Sequence, residues 1–237
     1  AYDMKQPEVA AEALRAAVKT TNNPDQNAPA LIADLYGHPE LGLELLTAGG
    51  TTKVYYTELL RGQLLFNSNH PAEAVSAFAY AGTLAPTARE RRFIYERMIS
   101  SARAAGTLSA LADQWLHDPQ MPADRLMPLA MALRELRRCD DLLALVAAPP
   151  KSEAHREILH SSTFQREVIA ATLEAGRQDA AEKIYRQLME LEPKQEEWML
   201  GLARLAVDQD RLDEADGIFE QAIAQATTAR ALAHVAD

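Results

Sequence analysis

The residues best suited to chemistry in this sequence are two histidines and the single cysteine. His155 and His160 are five positions apart, whereas two metal ligands on one helix face need a spacing of three or four residues. Cys139 follows two arginines in a polar stretch that we expect to be a turn, and this positive charge would lower the pKa of its thiol. Since no histidine is paired with it in the sequence, we interpret Cys139 as a bystander and predict no metal site.

Longer catalytic or cofactor motifs are absent from the sequence. The patterns Gly-Xaa-Ser-Xaa-Gly, Cys-Xaa-Xaa-Cys and His-Glu-Xaa-Xaa-His do not occur. Gly49-Gly50 lacks the Lys-Ser/Thr that a phosphate-binding loop requires. We therefore expect no catalytic residues, no cofactor, and a protein that is not an enzyme.

The composition favours an all-α protein without a membrane span. Hydrophobic residues make up 48% of the 237 positions, and alanine and leucine dominate them. The formal net charge of −10 argues against nucleic acid as a partner, because binding it requires phosphate neutralisation. No run approaches about 18 consecutive apolar residues, so we expect no insertion into a membrane. A single cysteine cannot form an intramolecular disulfide, which leaves the compartment open.

Residues 164–227 read as two copies of one unit, offset by 34 residues. Each copy is an apolar helical pattern, a polar break and a second helical pattern. A plain helical bundle with a chance period is the alternative, but seven matching positions are hard to obtain by accident. The matching positions are Val168 with Leu202, Ile169 with Ala203, Ala171 with Leu205, Ala181 with Ala215, Ile184 with Ile218, Tyr185 with Phe219, and Leu188 with Ala222.

This period with two helices per copy resembles the tetratricopeptide repeat (TPR) family. The ending Leu191-Glu192-Pro193 is also similar to the family's usual ending. The resemblance implies an all-α, right-handed α-solenoid, in which each helix pair buries its apolar face against its neighbours. The small Ala181 and Ala215 would let paired helices approach, while Tyr185 and Phe219 fill the space beyond.

The same pattern divides the whole chain. Residues 55–88 carry Gly62, Ala74, Phe78, Ala81 and Pro86 at family positions, whereas the middle of the chain matches less well. Since no breaker interrupts residues 152–175, we expect one long helix there. We interpret the chain as a piece of a longer repeat protein. The predicted segments are 1–54, degenerate helical repeats; 55–88, a TPR-like repeat; 89–161, degenerate helical repeats; 162–195 and 196–229, TPR repeats; and 230–237, the start of a truncated helix.

The resemblance also implies where a partner would bind, because solenoids of this family bind along a concave face formed mainly by first helices. Tyr56 and Phe66 would form an aromatic pair at such an interface, with core packing as the alternative. The basic clamp of the family members that bind peptide carboxylates is missing. The predicted concave residues are Tyr56, Leu59, Gln63, Phe66 and Asn67; Thr163, Arg166, Ala170, Leu173 and Glu174; and Glu197, Leu200, Arg204, Val207 and Asp208.

Charge is distributed unevenly along the chain. The acidic C-terminal half would attract a cationic partner or polymer, although ordinary solubility explains it equally well. Arginines gather in the middle and would form a basic patch for an acidic partner, with a solvated helix face as the alternative. The patch residues are Arg89, Arg91, Arg92, Arg134, Arg137 and Arg138.

We interpret the chain as a protein–protein interaction scaffold. Its arginine-, alanine- and leucine-rich, lysine-poor style looks bacterial, and it resembles the periplasmic TPR regions of exopolysaccharide export proteins, the PelB-like group. That resemblance implies a place in the periplasm within a longer outer-membrane protein of a biofilm system. The partner would be a polysaccharide deacetylase or hydrolase, with the polysaccharide as a further contact. The alternative is a cytoplasmic TPR adaptor or assembly factor that binds a peptide segment of a client protein.

Overall fold

A computed structural model describes residues 7–20, 27–48, 54–192 and 195–225. Within these ranges the chain forms 14 α-helices, one 3-10 helix and no strands, so the predicted all-α class is confirmed. Residues 1–6, 21–26, 49–53, 193–194 and 226–237 of the predicted segments, which include Gly49-Gly50 and Pro193, lie outside the described residues. The helices are α1 (Pro7–Thr20), α2 (Asn27–Leu35), α3 (Pro39–Ala48), α4 (Tyr55–Asn67), α5 (Pro71–Leu84), α6 (Ala88–Ala104), α7 (Leu108–Leu116), the 3-10 turn Ala123–Arg125, α8 (Leu126–Glu135), α9 (Cys139–Ala147), α10 (Glu153–Leu159), α11 (Ser162–Glu174), α12 (Gln178–Leu191), α13 (Glu196–Asp208) and α14 (Leu212–Gln225).

The chain forms two compact units, Ala1–Ala132 and Leu133–Asp237. In the first, α4 contacts α5 and α5 contacts α6; in the second, α11 through α14 contact one another in chain order. This stacking of sequential helices is the packing expected of a helical-repeat solenoid. Within the described ranges, no helix combines the length and the apolar character that crossing a bilayer requires.

The two helices of each pair are joined by a turn of one recurring geometry. One residue of the turn adopts a positive φ, and the next residue donates its N–H to a carbonyl five positions earlier, as Arg177 does to Thr172 at 2.8 Å. This is the Schellman ending of a helix, which satisfies carbonyls that would otherwise lack a donor. It marks six helix pairs in the described residues, at Gly37, Asn69, Gly106, Arg137, Gly176 and Asp210.

Three of the pairs, α4–α5, α11–α12 and α13–α14, lie within the segments 55–88, 162–195 and 196–229. The division of the chain into intact and degenerate repeats stays a prediction. Small residues occupy the expected close contacts, because Ala181 and Ala215 are almost fully buried. A Cβ atom on Gly62 would lie 2.6 Å from the buried ring of Phe78, so this pair of helices is closer than a side chain allows.

The prediction of one long helix over residues 152–175 is wrong. The structure has the short α10, a break at His160-Ser161, and then α11. Ser161 Oγ donates to the Ile158 carbonyl at 2.7 Å and accepts from the Phe164 N–H at 3.3 Å. A serine side chain thus ends one helix and begins the next, since it bonds backbone groups that the helix leaves free.

Helix α6 begins at Ala88, five residues before Phe93, the first large apolar residue of the helix. The cause is a capping box, in which Thr87 Oγ1 accepts from the Glu90 N–H at 3.2 Å and Glu90 Oε2 accepts from the Thr87 N–H at 3.1 Å. Such a reciprocal pair of hydrogen bonds fixes the start of a helix even where the first residues show no apolar pattern.

Candidate protein-binding groove

The second unit contains a groove of about 730 Å³ between α11 and α13, with α12 at its side. Its floor is apolar. Ile169 and Leu173 contribute from α11, and Leu200, Gly201 and Leu205 from α13. Leu173 is 39% exposed, so part of this apolar surface is accessible from solvent.

Most of the concave residues predicted on α11 and α13 meet in this groove. The lining includes the predicted Arg166, Ala170 and Leu173 of α11, together with Glu197, Leu200, Arg204 and Asp208 of α13. Thr163, Glu174 and Val207 do not line it. Whether the lining residues touch a partner stays a prediction.

One wall of the groove carries a bidentate ion pair. Arg166 Nε donates to Glu197 Oε1 at 2.6 Å, and its Nη2 donates to Oε2 at 2.5 Å. The guanidinium also lies 5.8 Å from the centre of the Trp198 ring. Hydrogen bonding to Glu197 raises the pKa of Arg166 above its ordinary value. The pair holds the two side chains together and offsets their charges, while both side chains stay about half exposed.

Farther along α13, two opposite charges remain available. Arg204 and Asp208 are both exposed, and neither has an ion-pair partner among the described residues. They lie one helical turn apart on α13, on the face that lines the groove. The groove therefore offers an apolar floor with one cation and one carboxylate beside it.

Tyr185 closes the side of the groove and was predicted only as a packing residue inside its own helix pair. Its ring lies against Gly201 of the next pair, where an added Cβ atom would be 2.3 Å from Cε1. Burial raises the pKa of the Tyr185 hydroxyl, and the charge of Glu197 adds to this effect. The sequence offers one signal for this contact, which is Gly201 inside a predicted first helix. Gly62 in α4 is a glycine of the same kind, and it too marks a close approach of a neighbouring side chain.

On α4, in the first unit, the predicted concave residues are accessible, but the aromatic pair does not form as expected. Tyr56 is 66% exposed, and its ring lies edge-on to Tyr55 at 4.8 Å between centres. The Phe66 ring instead lies against the Arg97 guanidinium, whose Cζ atom is 5.9 Å from the ring centre. Leu59 is half-buried on the same helix. Core packing therefore does not explain Tyr56.

The polar residues of α4 bond neighbouring helices. Asn67 Nδ2 donates to Asp34 Oδ1 at 2.7 Å, and its Oδ1 accepts from Gln63 Nε2 at 2.8 Å. The Gln63 side-chain oxygen in turn accepts from Arg97 of α6. These predicted binding residues thus have a structural role between helix pairs.

Half of the arginines in the predicted basic patch are neutralised by carboxylates. Arg91 Nε lies 2.5 Å from Asp124 Oδ2 in the first unit. Arg138 Nε lies 2.6 Å from Asp141 Oδ2 in the second. The third paired arginine is Arg134, which bonds two carboxylates. The remaining three, Arg89, Arg92 and Arg137, are exposed.

Arg134 is the most strongly engaged member of that patch. It bonds Glu167 Oε2 at 3.0 Å and Glu174 Oε1 at 2.5 Å. These hydrogen bonds raise the pKa of Arg134 and lower the pKa of Glu174. The predicted binding residue Glu174 is therefore held by an arginine of the chain itself.

The expected turn position and lowered thiol pKa of Cys139 are wrong, whereas its interpretation as a bystander stays a prediction. Cys139 is the first residue of α9 and is 5% exposed, so it does not lie in an open turn. Burial, together with the charge of Asp140, raises the pKa of the thiol, and the smaller opposing effect of Arg177 does not reverse this. His155 is buried and bonded to Ser152, whereas His160 is exposed. In the part of the chain that the structure describes, no three His, Cys, Asp or Glu side chains are grouped to hold a metal ion.

Comparison with known families bears on the C-terminal part of the chain. Residues 172–236 match the family model described as Tetratricopeptide repeat. The match starts near the end of α11 and covers α12 and α13 together with α14, which supports the resemblance drawn from the 34-residue period. No curated protein matches the chain. Repeats of this family generally mediate protein–protein interaction.

Proposed function

We propose that this chain is a non-catalytic scaffold that binds a segment of a protein partner in the groove between α11 and α13. The observation that carries this proposal is the combination of an accessible apolar floor with the unpaired charges of Arg204 and Asp208. Apolar area supplies affinity, and isolated charges select the register of the bound segment.

The chemistry of the lining supports binding over covalent catalysis. The lining contains no serine, threonine, cysteine, histidine or lysine. Its strongest ionic contact, between Arg166 and Glu197, is satisfied within the chain. A site of this kind offers hydrogen bonds and apolar contacts to a ligand, and it lacks a serine, threonine, cysteine or lysine nucleophile and a histidine base.

Affinity capture from a lysate of the source organism tests the groove. Wild-type chain is compared with Arg204→Glu and with Leu173→Asp, which alter the free charge and the apolar floor. The matched control is Lys183→Glu, an exposed basic residue of α12 outside the lining. We expect both groove variants to lose the proteins that wild type and the control retain, while circular dichroism shows all four folded. Equal capture by the groove variants and wild type would contradict the proposal.

We further infer the nature of the partner from the sequence resemblance to PelB-like export proteins. In this proposal the chain belongs to the periplasmic part of a longer outer-membrane protein. It docks a polysaccharide deacetylase or hydrolase of an exopolysaccharide secretion and biofilm system, with the polymer as a further contact. The supporting evidence is the repeat pattern and the residue style described above.

A cytoplasmic TPR adaptor is the second candidate, favoured by a groove large enough for several side chains of a client peptide. Mass spectrometry of the captured proteins separates the two. A periplasmic polysaccharide-modifying enzyme, lost with Arg204→Glu, supports the export scaffold. A cytoplasmic client lost with the same variant contradicts the export scaffold and supports the adaptor.

A further inference from the structure

One face of α12 binds the helix pair that follows it, partly through polar contacts. Glu182 Oε2 accepts a hydrogen bond from Arg211 Nη2 at 2.6 Å. Gln178 Oε1 accepts from Gln209 Nε2 at 3.1 Å. Both donors belong to the turn between α13 and α14, so the two contacts fasten that turn onto α12.

The same face of α12 also makes apolar contacts with the following pair. The Tyr185 ring occupies the space that a side chain at Gly201 would need. Met189, four residues farther along, packs against the cluster that contains Met199, Leu202 and Ile218. Stacking of one pair on the next thus uses four positions of α12, namely 178, 182, 185 and 189.

Helix α14 presents the same four positions 34 residues later, as Leu212, Asp216, Phe219 and Ile223. We call these four residues the open α14 face. Leu212 is 56% exposed and Ile223 is 51% exposed, and Asp216 has no ion-pair partner among the described residues. Phe219 is half-buried against the cluster that contains Met199 and Leu202, whereas Leu212, Asp216 and Ile223 have no occupant in the described part of the chain.

The charge around this face selects the kind of occupant. Helix α14 has four carboxylates and neither lysine nor arginine. Only one of them, Glu214, has an ion pair in the described structure, and its partners are Arg186 and Arg211. A symmetric contact with a second copy would place these acidic helices against each other, which like-charge repulsion disfavours. A basic helix is the complementary partner.

We propose that the open α14 face binds a basic amphipathic α-helix of another protein. By analogy with the α12 face, the bound helix places a small residue against Phe219, an apolar residue against Ile223, and an arginine or lysine beside Asp216. This surface is formed by α14 and is separate from the groove between α11 and α13, so each can be tested without the other.

A synthetic peptide provides a probe, because the chain already contains the template for such a helix. The peptide has the sequence of residues 195–211, which includes Gly201 and Arg211, with Glu196→Lys, Glu197→Lys and Asp208→Lys to make it basic. Its binding to the full chain is followed by fluorescence anisotropy. We expect saturable binding that weakens as salt is added, since the contact pairs opposite charges. The same peptide with Gly201→Trp should bind poorly, because the small residue is lost.

Variants of the full chain then locate the contact. Asp216→Lys and Ile223→Ser should each weaken binding by about tenfold or more, since they reverse the charge and remove the apolar contact. Asp179→Lys is the matched control, because Asp179 is an exposed acidic residue outside the face. Arg204→Glu, which tests the groove, should leave peptide binding unchanged.

Three outcomes would overturn the proposal. The first is peptide affinity that is the same for wild type, Asp216→Lys and Ile223→Ser. The second is equal binding of the basic peptide and its Gly201→Trp form. The third is binding seen only after residues 226–237 are removed, which would identify the chain's own C-terminal residues as the occupant of the face.

Discussion

Arg166 and Glu197 join the first helices of two successive pairs through two hydrogen bonds, 31 residues apart in sequence. The same device recurs between Arg134 and Glu167, which are 33 residues apart. Arg91 and Asp124 are also separated by 33 residues. Two of the six arginines of the predicted basic patch, Arg91 and Arg134, therefore join parts of the chain about one repeat apart.

Gly62 tests how closely α4 and α5 pack. We expect Gly62→Ala to destabilise the chain by about 1–3 kcal/mol, because its Cβ atom would overlap the Phe78 ring, which is buried at 1% exposure. Gly217→Ala is the control, since nothing lies within 4 Å of its Cβ position. That change should stabilise by about 0.5–1 kcal/mol through helix propensity. Urea denaturation measures the change in the free energy of unfolding for both variants. A change of the same sign in both would contradict the predicted packing.

The positive-φ turns predict an unusual stabilising change. Arg137 has φ of 56° at a position where other turns have glycine, and it is exposed. Arg137→Gly should stabilise by about 1 kcal/mol, because an L-residue is strained in the left-handed region. The same substitution within a helix, Arg92→Gly, should destabilise by about 1 kcal/mol. Thermal unfolding measures both, and destabilisation by Arg137→Gly would show that the strain argument fails.

Ser161 is predicted to be required for the start of α11. Ser161→Ala removes the acceptor of the Phe164 N–H and should cost about 1 kcal/mol. Ser76→Ala, at an exposed position inside α5, should cost nothing or stabilise slightly. Chemical denaturation of both variants gives the comparison. If Ser161→Ala is as stable as wild type, the side chain is not the cause of the break between α10 and α11.

The ion pairs of Glu182 should make the stability of the folded chain depend on pH. Its hydrogen bond from Arg186, with a further one from Arg211, holds the pKa of Glu182 below the ordinary value of 4.5. A carboxylate with a lowered pKa in the folded state stabilises the fold above pH 4.5 and loses that effect as pH falls through the lower folded value.

We therefore expect Glu182→Gln to be less stable than wild type at pH 7, by about 1 kcal/mol. The difference should shrink as the pH falls below 4.5. Melting temperatures of wild type and Glu182→Gln, measured from pH 7 to below pH 4.5, test this prediction. A difference between the two proteins that stays constant over this range would contradict the role of the ion pair.

The Cys139 thiol should react slowly in the folded chain. Burial raises its pKa, so the thiolate fraction at neutral pH is small, and the residue is only 5% exposed. A chromogenic disulfide reagent at pH 8 should label native protein far more slowly than protein unfolded in urea. Equal rates in the two states would mean that Cys139 is accessible in the folded chain.

Local pattern was sufficient to predict much of the fold. The 34-residue period places Ala181 and Ala215 at buried positions of their helices, as found, because a helix face follows directly from residue spacing. On α11 and α13, the residues spaced along one face meet in a single groove.

Contacts between pairs were harder to predict, since they depend on which helices stack and how closely. Spacing within α12 identifies Tyr185 as apolar-facing but does not show that its ring reaches Gly201 of the next pair. Likewise, nothing in the sequence alone shows that Arg134 bonds Glu174, which lies 40 residues away. Ser161 was missed for a different reason, because serine in an otherwise helical pattern is compatible with both an interior and a cap position.

The short helix α10 has a consequence for how such a chain can change in length. It is a seven-residue helix between the pairs α8–α9 and α11–α12, and the pairs on either side keep their own closing turns. Each pair is closed by its own turn and packs against its neighbours. Gene duplication or deletion of one such module would therefore alter the number of pairs without requiring a new core, so that array length is an easily varied property of this architecture.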